Sequence, residues 1–162
     1  MNILDQALFW GGFLLAHSAD NLSYIDEVKV LTPFSICVTA GEIHTQFHTG
    51  RTQAEAIAKA KDELSTNSAK CEAWAFAREG WLDENGKPLA TLSVSAWATG
   101  MKRPIDIIQP FERSPRFRLI EEPWLALDGK TLGGAESAPL LTVLRHGISR
   151  HEDGGPKWDS WH

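Results

Sequence analysis

Residues 71–99, CEAWAFAREGWLDENGKPLATLSVSAWAT, decide the fold, because two runs of alternating side chains flank Asn85-Gly86. Asn-Gly between such runs is a strong short-range signal for a β-hairpin with a two-residue turn. That turn places Trp74 directly opposite Trp97. One face of the hairpin then carries alanines, and the opposite face is aromatic and partly polar.

Two helices and a second hairpin are predicted before this segment. Residues 3–17 carry apolar side chains at three- and four-residue steps almost all round, so we expect a helix that is covered on more than one side. Residues 34–48 alternate again and predict a hairpin with one apolar and one polar face. Residues 52–64 are rich in helix formers, and Thr52 and Glu55 have capping-box spacing.

The last third of the chain is less regular. Ile105–Phe111 predicts a strand, which Pro110 places at an edge of the sheet, and Leu140–Leu144 predicts a C-terminal strand. Residues 1–145 are therefore predicted to form one bacterial-style α+β domain. Its antiparallel sheet has about five strands, as two hairpins plus an edge strand, with an N-terminal helix and one helix between the hairpins. Residues 146–162 form a polar tail.

The tail is rich in Gly and polar residues and is predicted to fray. Trp158 and Trp161 are the only large apolar side chains of residues 149–162, and an indole left in water forgoes about 1.5–3 kcal/mol of burial. We therefore expect only the last few residues to dock, on the chain's own sheet or on a second copy, after a mobile joint at Gly154-Gly155.

Composition limits the possible functions. The 162 residues carry 16 Lys and Arg against 21 Asp and Glu, for a net charge of −5, which argues against a nucleic-acid partner. The apolar block at residues 7–16 has no Lys or Arg before it and is too short to span a bilayer, so it predicts a buried helix and no membrane association. Cys37 and Cys71 lie in apolar runs and are predicted to be reduced, structural thiols, which fits a cytoplasmic location.

Three histidine patterns are candidates for chemistry. Cys37 is predicted to face His44 across the second hairpin, where a thiol could meet a base, but no oxyanion-binding loop points at it. His44 and His48 are four apart, which on a strand separates them by about 13 Å, too far to share one metal ion. The histidines of the tail lack the rigid spacing of a metal site. We predict no metal site and no cofactor.

The segment Thr142–Ser149, an apolar run followed by Arg145-His146-Gly147, resembles the start of the histidine phosphatases. In that family the His is phosphorylated and the Arg holds the phosphate. The family's motif lies near the N-terminus with most of the α/β domain after it, whereas here 15 residues follow Gly147 and no βαβ pattern precedes it. We therefore interpret the segment as a C-terminal strand that ends in the tail.

The aromatic hairpin face is the main candidate binding surface. The opposite face, which carries the alanines, suits the helix at 52–64. The aromatic face is then left for the N-terminal helix or for something outside the chain. The sequence predicts a non-enzymatic protein-binding or regulatory protein, of inhibitor or immunity type, that binds a protein partner or a second copy. The alternative is a small-molecule-binding module or small enzyme with its site on the sheet, using Cys37 and His44 or Arg78 and Glu79. The candidate binding residues are Trp74, Phe76, Arg78, Trp97, Trp158 and Trp161.

Overall fold

The computed structural model describes residues 1–25 and 29–162, which form an α+β fold with an antiparallel sheet. The four helices of these ranges are Ile3–Tyr24 (α1), Gln53–Asn67 (α2), Gly134–Ser149 (α3) and Gly154–Lys157 (α4). Their eight strands are Phe34–Thr39 (β1), Glu42–Phe47 (β2), Ala73–Glu84 (β3), Lys87–Ala98 (β4), Ile105–Glu112 (β5), Arg118–Leu119 (β6), Trp124–Leu127 (β7) and Lys130–Thr131 (β8). Two short 3₁₀ turns cover Ser68–Lys70 and Trp158–Trp161. The predicted class is correct, but the sheet is larger than predicted.

The order of strands in the sheet is β2-β1-β3-β4-β5-β7-β8, and β6 pairs with β5. Asn85 and Gly86 both have positive φ, 53° and 78°, as a type I′ turn requires. The predicted register is confirmed, since Trp74 pairs with Trp97. The predicted edge position of β5 is wrong, because β5 lies between β4 and β7. Pro110 is tolerated there because it lies between the part of β5 that pairs with β7 and the part that pairs with β6.

The two helices lie on the opposite faces from those predicted. The N-terminal helix α1 covers the alanine face, where Gly11 packs so closely that an added Cβ would come within 2.5 Å of Ile107 Cδ1 and 3.1 Å of Ala96 Cβ. The alanine-rich helix α2 lies on the aromatic face, where Ala60 and Leu64 form a second, smaller core with Trp74 and Phe76. Glycine on α1 and alanine on the sheet together allow the closest approach of the helix to the strands. The pairing of α1 with the alanine face therefore buries that face best.

Cys37 and Cys71 form a disulfide, with their Cα atoms 5.5 Å apart, so the prediction of two reduced thiols is wrong. The pairing of β1 with β3 puts Cys37 opposite Trp74 and brings it close to Cys71. That strand order was not part of the prediction. Persistent disulfides are rare in the cytosol, and the cytoplasmic location stays a prediction.

The segment at 140–144 belongs to helix α3, not to the predicted C-terminal strand. Pro139 is the sixth residue of α3, so its missing N–H removes one helical hydrogen bond, the one to the carbonyl of residue 135. Leu144, Gly147 and Ile148 are buried on one side of the helix. The sequence analysis ended the domain at residue 145 and began the tail at residue 146, and both residues lie inside α3.

Helices α1 and α3 cross at two glycines. A Cβ added to Gly12 would lie 2.1 Å from Leu144 O, and one added to Gly147 would lie 2.0 Å from Phe9 O. Neither position accepts a larger residue without moving a backbone. Helix α1 is thus covered by the sheet on one side and by α3 on the other, as its apolar circumference predicted.

The C-terminal segment is packed into the protein, so the predicted fraying is wrong. Trp158 and Trp161 are 7% and 9% exposed and belong to the main core. Gly154, predicted as part of a mobile joint, is buried so closely against α1 that an added Cβ would lie 2.3 Å from Ala16 O. The two indoles dock on the chain's own core because α3 carries them back to α1.

Among residues 1–25 and 29–162, no helix combines the length and the hydropathy needed to span a bilayer.

Candidate functional site

A cavity of about 350 Å³ lies over the aromatic face of the sheet, beside α2. It exists because α2 covers β3 at Trp74 and Phe76 and leaves the next part of the face open. Four of the predicted site residues meet here. They are Trp74, Phe76, Arg78 and Trp97.

Aromatic rings from two neighbouring strands form the apolar wall of this cavity. The rings of Trp74 and Trp97 are stacked, with centroids 6.1 Å apart and planes 18° from parallel. Trp97 Nε1 donates a hydrogen bond to Met101 O at 2.8 Å, which fixes that indole. Trp74 Nε1 is buried with no hydrogen-bond partner among the described residues. The two indoles therefore form a flat apolar surface, and Trp97 is tied to the backbone by a hydrogen bond.

Three adjacent strands contribute a chain of polar groups to the same cavity. Arg78 Nη1 on β3 donates to Ser95 Oγ on β4 at 2.8 Å, and Ser95 Oγ donates to Asp106 Oδ1 on β5 at 2.7 Å. The guanidinium carbon of Arg78 lies 5.4 Å from the centroid of Phe76. Burial lowers the pKa of Arg78, and the nearby Asp106 opposes that change. Arg78 is therefore a cation held in place by a hydrogen bond to Ser95, and Ser95 connects it to the carboxylate of Asp106.

The cavity is positively charged overall. Its walls include the cations Lys61, Arg78 and Lys102 and one carboxylate, Asp106. Lys61 projects from α2, and Lys102 from the loop after β4, so the cations approach from different sides. This excess of positive charge in the cavity contrasts with the net charge of −5 for the whole chain. A cavity of this kind favours an anion.

The other predicted residues lie elsewhere. Trp158 and Trp161 pack on each other in the main core, with ring centroids 6.3 Å apart, and do not reach the cavity. Arg78 and Glu79 point to opposite faces of β3, as neighbours on a strand must. Glu79 is buried in an ion pair with Arg113 and accepts a hydrogen bond from the backbone N–H of Leu31 at 2.7 Å. The suggested pairing of Arg78 with Glu79 in one site is therefore wrong.

The pairing of Cys37 with His44 across the β1–β2 hairpin is confirmed. It does not provide a nucleophile, since the Cys37 sulfur is bonded to Cys71. His44 itself is exposed, and its side chain lies 3.9 Å from Glu42.

The predicted setting of Arg145-His146-Gly147 is also wrong. The histidine-phosphatase resemblance depended on a strand that ends at this motif, whereas the motif lies inside α3. Arg145 Nη2 is 2.8 Å from a carboxylate oxygen of Glu122, with both side chains about half exposed. The segment lacks the structural setting that the resemblance required.

A second cavity, of about 210 Å³, lies between the β1–β2 hairpin and α2. Ser35, His48 and Glu63 line it, and the sequence analysis did not bring these three together. His48 was considered only with His44, because both occur in the same short segment. The alternation of side chains along β1 could have revealed this group, because it puts Ser35 on the face that α2 covers.

Comparisons of this chain with protein-family models, with curated proteins and with solved structures give no match.

Proposed function

We propose that this protein is a binding module for a small anionic molecule with a planar apolar part, held in the 350 Å³ cavity over the sheet. The observation that carries the proposal is the meeting of a flat aromatic wall with a hydrogen-bonded, half-buried arginine in one concave site. Ligand sites are typically concave, mostly apolar and furnished with a few convergent polar groups. A flat exposed aromatic patch would instead have favoured a protein partner.

The chemistry of the walls supports this ligand class. Arg78 offers a planar set of N–H donors that matches a carboxylate or phosphate. Trp74 and Trp97 provide flat apolar surface for an aromatic or conjugated group. The volume lies near the lower end of the range of about 300–1,000 Å³ for ligand sites, which favours a small molecule.

The direct test is a comparison of charged and neutral aromatic probes by tryptophan fluorescence and NMR. Benzoate and phenyl phosphate are expected to bind, and benzamide, which has the same ring without the charge, is expected to bind more weakly. Arg78→Gln removes a charged hydrogen-bond donor and is expected to weaken benzoate binding about 10- to 100-fold. The matched control is Lys87→Gln, on an exposed part of β4 away from the cavity.

Two results would contradict the proposal. One is equal binding of benzoate and benzamide, since the charge would then contribute nothing. The other is benzoate binding that survives Arg78→Gln in a folded protein.

A second candidate function, binding of a protein partner or a second copy, is favoured by strand β2. This strand is an edge of the sheet, and its Ile43 and Phe47 are 39% and 64% exposed. An exposed apolar edge is a template for strand addition. Sedimentation of the wild type over a range of concentrations, beside Phe47→Lys and the control Trp81→Lys, tests self-association. A monomer at every concentration would leave only a different protein as the partner.

A further inference from the structure

Ser35, His48 and Glu63 form a connected chain of polar groups in the smaller cavity, the one between the β1–β2 hairpin and α2. Ser35 Oγ lies 2.7 Å from His48 Nε2, and His48 Nδ1 lies 3.7 Å from Glu63 Oε2. Ser35 and His48 are buried, at 4% and 5% exposure, while the Glu63 side chain is 37% exposed. A hydroxyl, an imidazole and a carboxylate in this order are the elements of an activated serine nucleophile.

The position of Glu63 favours one of the two neutral tautomers of His48. The carboxylate of Glu63 faces Nδ1, so the proton is favoured on that nitrogen. In that tautomer the lone pair of Nε2 faces Ser35 Oγ, 2.7 Å away, and the Ser35 hydroxyl is the donor of this hydrogen bond. Burial lowers the pKa of His48, while Glu63 opposes and Lys59 adds to that change. The ring is thus neutral near pH 7 and able to accept a proton.

Gln46 places a side-chain amide in the same cavity. It pairs with Ser35 across the two strands and lines the same cavity. Its amide has two N–H groups, one of which is directed at Glu63 Oε2 with a nitrogen-to-oxygen distance of 3.3 Å. A side-chain amide beside the nucleophile is one of the groups that stabilise a developing oxyanion.

We propose that Ser35 is the nucleophile of a second site, separate from the cavity over the aromatic face, that hydrolyses a small ester with a short acyl group. Its volume of about 210 Å³ is below the usual range of about 300–1,000 Å³ for ligand sites, which excludes a bulky substrate. Leu64 and the Cys37–Cys71 disulfide provide the apolar surface for the acyl chain.

The reaction uses only the ester and water. Ser35 Oγ bonds to the carbonyl carbon as its proton passes to His48 Nε2, and the carbonyl electron pair moves onto the oxygen beside Gln46. When that pair returns, the alkoxide leaves, takes the proton from His48 and departs as the alcohol, with the acyl group on Ser35. A water molecule then loses a proton to His48 and attacks the acyl carbon. The carboxylic acid leaves, and Ser35 regains its proton.

A purely structural role for the same contacts makes different predictions. A Ser35–His48 hydrogen bond that only ties β1 to the end of β2 would affect stability and would leave the hydroxyl no more reactive than other serines. Reactivity of Ser35 in the folded wild type therefore separates the two roles.

The experiment treats the folded wild-type chain with a small alkyl fluorophosphonate and locates the adduct by peptide mass spectrometry. We expect a single adduct on Ser35 and hydrolysis of p-nitrophenyl acetate above the buffer rate. Ser35→Ala should abolish both, and His48→Gln should slow hydrolysis about 10²- to 10⁴-fold, the usual contribution of a general base. Ser93→Ala, a hydroxyl on β4 that lines neither cavity, is the matched control.

The proposal is overturned if the folded wild type gives no adduct on Ser35, or if the acetate is hydrolysed equally fast by Ser35→Ala. Mapping on the wild type needs no variant, so it decides the question even where Ser35→Ala does not fold. A pH–rate profile gives a further check, because the rate should rise through the titration of His48 and be flat in folded His48→Gln.

Discussion

Cys37 and Cys71 are bonded to each other across 34 residues of chain, and the loop they close contains β2 and α2. Both cavities depend on that loop, because α2 forms one wall of each. The disulfide therefore holds the cover of the aromatic face in place.

Removal of the disulfide should destabilise the protein. Closing a loop of 34 residues lowers the entropy of the unfolded chain by an amount worth about 3–4 kcal/mol. We expect Cys37→Ser with Cys71→Ser to lower the free energy of unfolding by about that amount in urea titrations. A dithiol reductant should have a similar effect on the wild type and none on the double variant. A wild type that is indifferent to the reductant would contradict the prediction.

Stability should fall as the pH falls below about 6.5, the ordinary pKa of histidine. Burial lowers the pKa of His17 and His151, whose facing ring nitrogens are 3.1 Å apart, and nearby Asp20 and Asp153 oppose the shift without reversing it. The unfolded chain therefore binds more protons than the folded one in this range, so the stabilisation is complete above pH 6.5 and is lost at lower pH.

The measurement is the free energy of unfolding at pH 7.5 and pH 5.5. The wild type should lose stability between the two, and His151→Gln should lose less. Greater stability at pH 5.5 than at pH 7.5 would show that the assigned direction is wrong.

Gly147→Ala should destabilise the crossing of α1 and α3. The added Cβ would meet Phe9 O at 2.0 Å, and both groups belong to helix backbones that must separate to relieve the clash. We expect a loss at or above the upper end of the range of about 1–3 kcal/mol for overpacking. Gly134→Ala, at the first residue of α3, where an added Cβ meets none of the described residues within 4 Å, is the control and should not destabilise the protein. Equal stability of the two variants would contradict the described crossing.

Trp158→Ala should cost about 3–5 kcal/mol in the free energy of unfolding, as truncation of a buried aromatic residue does. Trp158 is 7% exposed and belongs to the main core, although the sequence placed it in a loosely docked tail. Trp81→Ala is the control, because Trp81 is 67% exposed and its loss should stay within about 0.5 kcal/mol. A small effect at Trp158 would support the original prediction of a mobile tail.

The local parts of this fold were predictable and the long-range parts were not. Asn85-Gly86 and the alternation around it fix which side chains of β3 and β4 share a face, so Trp74, Phe76, Arg78 and Trp97 were assigned to one surface correctly. The same pattern does not determine which helix covers which face. Both α1 and α2 carry small residues, and the choice depended on how closely two backbones approach at Gly11.

The disulfide and the C-terminal helices share a different difficulty. Cys37 meets Cys71 only because β1 inserts between β2 and β3, and strand order is not encoded in the alternation. The short apolar run around Leu140 fits a strand or a helix equally well, and Pro139 favoured the wrong choice. Packing against α1 decided the outcome, and it also carried Trp158 into the core.

The contacts between α1 and the C-terminal helices also have a consequence for synthesis. His17 meets His151 across 134 residues, and Asp20 meets Lys157 across 137. A ribosome releases α1 long before α3 and α4. The nascent chain therefore contains a helix that is apolar almost all round. The growing sheet can cover only one side of that helix. The other side stays open to chaperones or to other nascent chains until α3 and α4 have been released.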